Sequence, residues 1–217
     1  MYTQEPFQIR DLQGSDVASM RAHKVWNGGP PVAPERLKHL TLSYWDFEGR
    51  SYTDGVMIVL DQLADGVIEI FQALYEVEFP FHSIRLMDDF EGNDRLSMAA
   101  NNTSCFNNRL IATGERKGLA SLHAYGAAID INPRQNPNIT RNNAGEWIIE
   151  PTECKGADLC RLSGLRRDRQ VQAGYAEPLR DIFAAYGFTE WGGDFPDKLD
   201  YQHFQVPRAR VMEMVSG

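Results

Sequence analysis

Twelve consecutive residues constrain this chain more than any others: Ser121-Leu122-His123-Ala124-Tyr125-Gly126-Ala127-Ala128-Ile129-Asp130-Ile131-Asn132. Ala127–Ile131 reads as a short strand. Strand alternation places Ala128, Asp130 and Asn132 on one face and Ile129 and Ile131 on the other. A carboxylate then stands opposite a buried apolar face. Aspartate is disfavoured inside a strand, so something must compensate it, and a metal ion would. His123 stands seven positions earlier. Between the two lie one glycine and three alanines, small enough for backbone or a ligand to approach closely.

A third candidate ligand sits in Asp200-Tyr201-Gln202-His203-Phe204-Gln205. His123, Asp130 and His203 make a set of two histidines and one carboxylate. Such a set with an open fourth position suits a catalytic Zn²⁺ carrying water. Asp200 stands three residues before His203, a spacing that a turn can use to bring its carboxylate beside that water as a general base. No basic residue lies between Asp200 and His203. A lone histidine is more often a core or surface residue than a ligand, and Asp130 could equally form an Asx turn, so spacing alone leaves both readings open. His23, His39 and His82 have no patterned neighbours and read as ordinary residues.

Around these motifs the chain reads as α+β: a small, mostly antiparallel sheet flanked by helices, with long loops. Its 217 residues favour one domain with an extra arm over two full domains. Residues 1–40 are expected to form an N-terminal arm or cap with a short helix near Asp16–His23, and residues 41–217 the main domain. Strands are expected at Leu40–Phe47, Val56–Leu60, His82–Met87 and Tyr201–Val206. Leu63, Val67, Ile70, Phe71 and Leu74 form one apolar stripe, which predicts a helix with Asp61 as its N-cap. Leu179, Ile182, Phe183 and Tyr186 predict a second helix closed by Gly187. Asp88 to Asn108 and residues 133–170 read as long loops. Because strands and helices do not alternate regularly, a doubly wound sheet is disfavoured.

Composition narrows the partners. Lys plus Arg is 22 and Asp plus Glu is 30, a net charge of −8. An acidic chain without a basic block is a poor candidate for nucleic acid or an anionic membrane surface. The longest apolar run, Val56 to Leu60, is far short of the ~20 residues of a membrane span. No basic segment followed by an apolar stretch opens the sequence, so no signal peptide is expected. Three cysteines cannot form a complete disulfide framework, but Cys154 and Cys160 are close enough to pair in an oxidising compartment.

Taken together, Ser121-x-His123-x-x-Gly126-x-Ala128-x-Asp130 and Asp200-x-x-His203 resemble the zinc peptidoglycan peptidases. That family comprises VanY-type D-alanyl-D-alanine carboxypeptidases and the L-alanyl-D-glutamate endopeptidases of phage lysins, related in fold to the hedgehog signalling domain. Three further segments carry the likeness: Asn101 to Arg109, Asp130-Ile131-Asn132-Pro133 with Asn136-Pro137, and Trp191-Gly192-Gly193. It runs from about Tyr44 to Gln205.

The resemblance implies roles. His123, Asp130 and His203 would be the zinc ligands. Asp200 would take the proton of the attacking water and later return it to the leaving amine. Arg109 would stabilise the oxyanion, although without the family context a surface ion pair is the simpler reading. Ser121, Tyr125 and Trp191, within the same motifs, are candidate substrate contacts. The implied substrate is peptidoglycan or its stem peptides, met in the cell wall or periplasm after lysis, injection or removal of a leader. Two departures matter. Tyr201 stands where some relatives carry histidine, and Asp200 where vancomycin-resistance dipeptidases carry glutamate. The second weakly favours endopeptidase over carboxypeptidase cleavage. The alternative is a non-catalytic, zinc-containing, hedgehog-like binding domain, which would not need to keep both Asp200 and Arg109.

Overall fold

The computed structural model describes residues 7–111, 117–142, 144–154, 172–196 and 198–216. Its strands are β1 (Gln8–Asp11), β2 (Leu37–Trp45), β3 (Ser51–Leu60), β4 (Ser83–Ile84), β5 (Asn102–Thr103), β6 (Ala128–Asp130), β7 (Asn138–Arg141), β8 (Trp147–Glu150), β9 (Glu190–Trp191), β10 (Leu199–Asp200) and β11 (His203–Gln205). Its helices are α1 (Gly14–Ala22), α2 (Ala64–Glu76), α3 (Asp94–Ala99), α4 (Arg180–Ala185) and α5 (Arg208–Ser216).

The fold is α+β, with its strands divided among several small sheets rather than gathered in one. Strands β1-β2-β3, β10-β7-β8 and β6-β11-β9 form three antiparallel sheets, and β4 and β5 pair in parallel. The long β2–β3 hairpin is the frame. Its alternating residues Leu40 and Leu42 are fully buried, and α2 packs on β2. The predicted stripe is the face α2 uses: Val67, Ile70, Phe71 and Leu74 are all at most 2% exposed. Each such side chain contributes roughly 1.5–3 kcal/mol by leaving water.

Residues 7–40 contribute to this core as well. Helix α1 occupies the expected place and buries Met20 completely. Strand β1, which sequence patterning does not suggest, pairs with β2 from Gln8↔Thr41 to Asp11↔Lys38. Helix α5, also without a sequence expectation, buries Val211 and ties back through Arg36 Nη2 to the Met214 carbonyl at 2.7 Å.

Several expectations are corrected. Asp61 opens a 3-10 turn ahead of α2 and accepts from the Arg36 guanidinium at 2.7 Å, rather than capping the helix. The strand expected over His82–Met87 shrinks to Ser83–Ile84, because its partner β5 is only two residues long and the chain turns at Met87. Residues 88–108 are not a plain loop. Asn93 Oδ1 accepts from the Arg95 and Leu96 amides and starts α3, a cap signal readable in the sequence. Within 133–170, β7 and β8 form a hairpin; residues 155–171 lie outside those described. Cys105 is free and buried and Cys154 is disulfide-bonded, while Cys160, its expected partner, falls outside the described residues.

Buried asparagines replace regular sheet in the irregular half. Asn102 accepts from the Arg85 amide at 2.9 Å and donates to the Arg85 carbonyl at 3.0 Å. Asn132 accepts from His82 N and donates to Pro80 O. Asn136 donates to Gly174 O and accepts from Ala176 N. All three are 0% exposed. An amide satisfies a neighbouring backbone as another strand would, which is how buried loop backbone avoids unpaired polar groups.

Candidate active site

The site forms where β6 and β11 run antiparallel. Their register pairs Asp130 directly with His203, and directly opposed side chains lie on the same face. His123 arrives from a 3-10 turn, Leu122–Tyr125, whose start is capped by Ser121 Oγ accepting from His123 N. Gly126, at φ +66°, ends that turn and carries the chain into β6.

The three ligand candidates converge. His203 Nδ1 lies 2.9 Å from Asp130 Oδ1, His123 Nε2 lies 3.3 Å from Asp130 Oδ2, and the two histidine nitrogens are 3.2 Å apart. One ligand atom from each residue falls within 4.8 Å of the others. The far nitrogens are fixed. His123 Nδ1 lies 2.7 Å from the Cys105 carbonyl, which only accepts, so Nδ1 carries the hydrogen. His203 Nε2 donates to Gln205 Oε1 at 2.8 Å. The Gln205 amide is oriented by donating its nitrogen to Glu190. In the neutral rings, the lone pairs of His123 Nε2 and His203 Nδ1 therefore face one point beside a carboxylate. Two lone pairs that close repel unless a cation sits between them, and the set of two nitrogens and one oxygen fits Zn²⁺.

When the imidazoles are protonated instead, their own positive charge takes the place of a cation beside Asp130. Burial pushes the Asp130 carboxyl up, but the positive charge of His123 and hydrogen bonds from both imidazoles outweigh it and hold the group well below the usual range. Burial pushes His203 down, yet the hydrogen bond and charge of Asp130, with the charge of Asp200, leave it raised. Burial also drives the Cys105 thiol far up, so that cysteine offers its carbonyl to the site rather than a thiolate.

Asp200 stands on β10, close enough for its charge to act on His203. It is not without a basic partner. Lys198, two residues before it, donates to Asp200 Oδ2 at 2.7 Å. Asp200 Oδ1 is buried and accepts nothing among the described residues. Asp194, a nearby carboxylate, is claimed by Arg180. Arg109 pairs with Asp94, whose other oxygen accepts from Asn107 at 2.8 Å. Its backbone carbonyl accepts from Ser121 N, which links it to the His123 turn; no contact joins its guanidinium to the His–Asp–His set.

The candidate substrate contacts serve the protein itself. Ser121 caps the His123 turn, the Tyr125 hydroxyl faces Met212 Sδ at 4.0 Å, and Trp191 donates to the Tyr201 carbonyl at 3.0 Å beneath the Arg180 guanidinium. Sequence reasoning missed Gln205, Glu190, Lys198 and the Cys105 carbonyl. Only Gln205 and Lys198 left a trace, as polar residues two positions from a ligand and from Asp200.

Residues 114–206 match a family model described as D-alanyl-D-alanine carboxypeptidase. The matched span holds the three ligand candidates and Asp200, and begins after Arg109. It supports the VanY-like resemblance at the level of the family and points to a peptidase. Neither curated proteins nor solved structures gave a match. No helix among the described residues is long and apolar enough to cross a membrane.

Proposed function

We propose that this chain is a zinc-dependent peptidase that hydrolyses peptide bonds in the stem peptides of bacterial peptidoglycan. The observation that carries the reading is the convergence of His123 Nε2, His203 Nδ1 and Asp130, with each histidine's other nitrogen already committed to an acceptor. Those three residues would hold the ion. Zinc supplies, when bound, a Lewis acid that acidifies water and polarises a carbonyl.

The chain's own residues do the rest. Asp200 Oδ1 accepts a proton from the attacking water and passes it to the leaving amine nitrogen. That oxygen is buried and accepts no hydrogen bond among the described residues, which leaves it available for the task. Arg109 is the oxyanion partner that the family resemblance implies; its guanidinium is paired with Asp94 and would have to turn from that carboxylate to serve. Peptidoglycan lies outside the cytoplasm, so the wall or periplasm is the place of action, and a disulfide at Cys154 suits an oxidising compartment.

The test pairs metal analysis with digestion of purified sacculi and mass spectrometry of the fragments. The wild type should hold about one zinc per chain and release stem-peptide fragments. Asp200→Asn should keep the zinc and lose about 10²–10⁴-fold in rate. A zinc-bearing wild type that releases nothing would favour a binding domain instead. An Asp200→Asn variant cleaving at the wild-type rate would remove Asp200 as the base.

A further inference from the structure

The side chain of Asp200 is 7% exposed. A carboxylate sealed from water normally needs partners on both oxygens, because an unpaired buried charge is costly. Here the two oxygens differ. Oδ2 receives the Lys198 ammonium at 2.7 Å, whereas Oδ1 receives no hydrogen bond among the described residues.

The backbone beneath this carboxylate is already fixed. Asp200 pairs with Asn138 across β10 and β7. On its other side Gly192 packs so closely that an added Cβ would fall 2.3 Å from the Asp200 carbonyl oxygen and 2.7 Å from its Cβ. What is left free is rotation of the side chain, and Lys198 stops it by holding one oxygen. Lys198 is itself placed against the site: its ammonium lies 5.6 Å from the Phe195 ring centre, and that ring lies 5.9 Å from the ring of His203.

The geometry points to Lys198 as the positioning residue of the general base: it holds Asp200 Oδ2 so that Oδ1 alone is presented to the proton of the attacking water. The inference rests on the peptidase reading above. In the step, Oδ1 takes a proton from water as the water oxygen bonds to the scissile carbonyl carbon. The same proton goes to the amine nitrogen as the carbon–nitrogen bond breaks. Lys198 keeps its protons throughout. Without the ammonium the carboxylate loses the side-chain donor on Oδ2 and is free to turn, so fewer molecules hold Oδ1 in place.

Turnover of soluble pentapeptide muropeptides, followed by chromatography, separates this role from others. Lys198→Met should lower kcat by about 10–100-fold, the usual cost of losing a partner that orients a site residue. KM and zinc content should stay near wild type. Lys198→Arg, which can still reach Oδ2, should recover most of the loss. Lys198→Gln, expected to fall with the methionine variant, replaces it should that variant not fold. Independently of activity, ¹⁵N NMR of the lysine side chains should show one slowly exchanging ammonium in the wild type that Asp200→Asn abolishes.

Unchanged kcat in Lys198→Met beside an impaired Asp200→Asn overturns this proposal and leaves the peptidase reading standing. A rise in KM with kcat preserved would place Lys198 on the substrate and overturns it too, as does absence of the protected ammonium. A wild type that turns over no muropeptide removes the peptidase reading, and the catalytic role of Lys198 with it.

Discussion

Gly126→Ala is the most informative single perturbation, because Gly126 joins the turn that carries His123 to the strand that carries Asp130. The residue sits at φ +66°, where an L side chain costs about 1–2 kcal/mol. An added Cβ would also lie 2.6 Å from Leu60 N, 2.9 Å from Val59 C and 3.1 Å from Val59 Cα. All three are backbone atoms of β3, so no side chain can swing aside. Relief must push β3 away, and that stretches the bond from Leu60 N to the Gly126 carbonyl, now 3.0 Å. Overpacking costs about 1–3 kcal/mol and a weakened hydrogen bond about 1. The expected loss is therefore about 3–6 kcal/mol, a large share of the ~5–15 kcal/mol of an ordinary domain. Gly49→Ala is the control: its φ is +73° and nothing lies within 4 Å of the added carbon, so only the conformational cost of about 1–2 kcal/mol applies. Urea denaturation with linear extrapolation reads both. Chelator competition should also show weaker zinc binding in Gly126→Ala alone, as His123 shifts against Asp130. If Gly126→Ala is no more destabilising than Gly49→Ala, the close approach of β3 does not constrain the site as argued.

Three further outcomes follow from particular contacts. Gln205→Leu removes the acceptor that fixes the His203 tautomer and should weaken zinc about 10–100-fold, read by chelator competition, with little change in fold by circular dichroism. Burial raises the Asp46 carboxyl, but the Arg50 amide and guanidinium, the Glu48 amide and the Tyr52 hydroxyl bring it down to about 2. With an unfolded value of about 3.9, its stabilisation is present above pH ~4 and lost as pH falls through about 2. The stability gap between wild type and Asp46→Asn, measured by denaturation, should accordingly shrink between pH 5 and pH 2. Cys105, 2% exposed and with its thiol pushed up by burial, should resist iodoacetamide in the native protein and react on unfolding, as counted by intact-mass spectrometry.

What the sequence exposed and what it hid divide along physical lines. Helix α2 and the β2–β3 hairpin were legible because each buries one regular face, and regular faces leave periodic apolar residues. The small elements were not. Strand β1 has only Ile9 as an aliphatic residue and is largely exposed, so its pairing with β2 comes from backbone bonds that no pattern records. The segment 88–108 looked like loop because its asparagines read as turn formers. In the structure, Asn101, Asn102 and Asn107 are buried and spend their amides on distant carbonyls and side chains. A long-range partner leaves no local signature.

The candidate site shows the same division more sharply. The ligand candidates stood out because a carboxylate in an apolar strand and a histidine among alanines are costly without a reason. The residues that decide how those ligands point gave no such sign. Cys105 acts through a carbonyl that every residue type carries, and Glu190 acts through Gln205 from the neighbouring strand β9. Their importance follows from direction. A neutral histidine offers one lone pair, and the hydrogen on the other nitrogen selects which. Committing Nδ1 in His123 and Nε2 in His203 makes the opposite nitrogens converge, although the two rings approach from a 3-10 turn and a strand and are inclined at 62°. Exchanging either tautomer would aim a hydrogen at the cation. The site's affinity is thus set as much by β9, β11 and the Cys105 backbone as by the His–Asp–His motif that first drew notice.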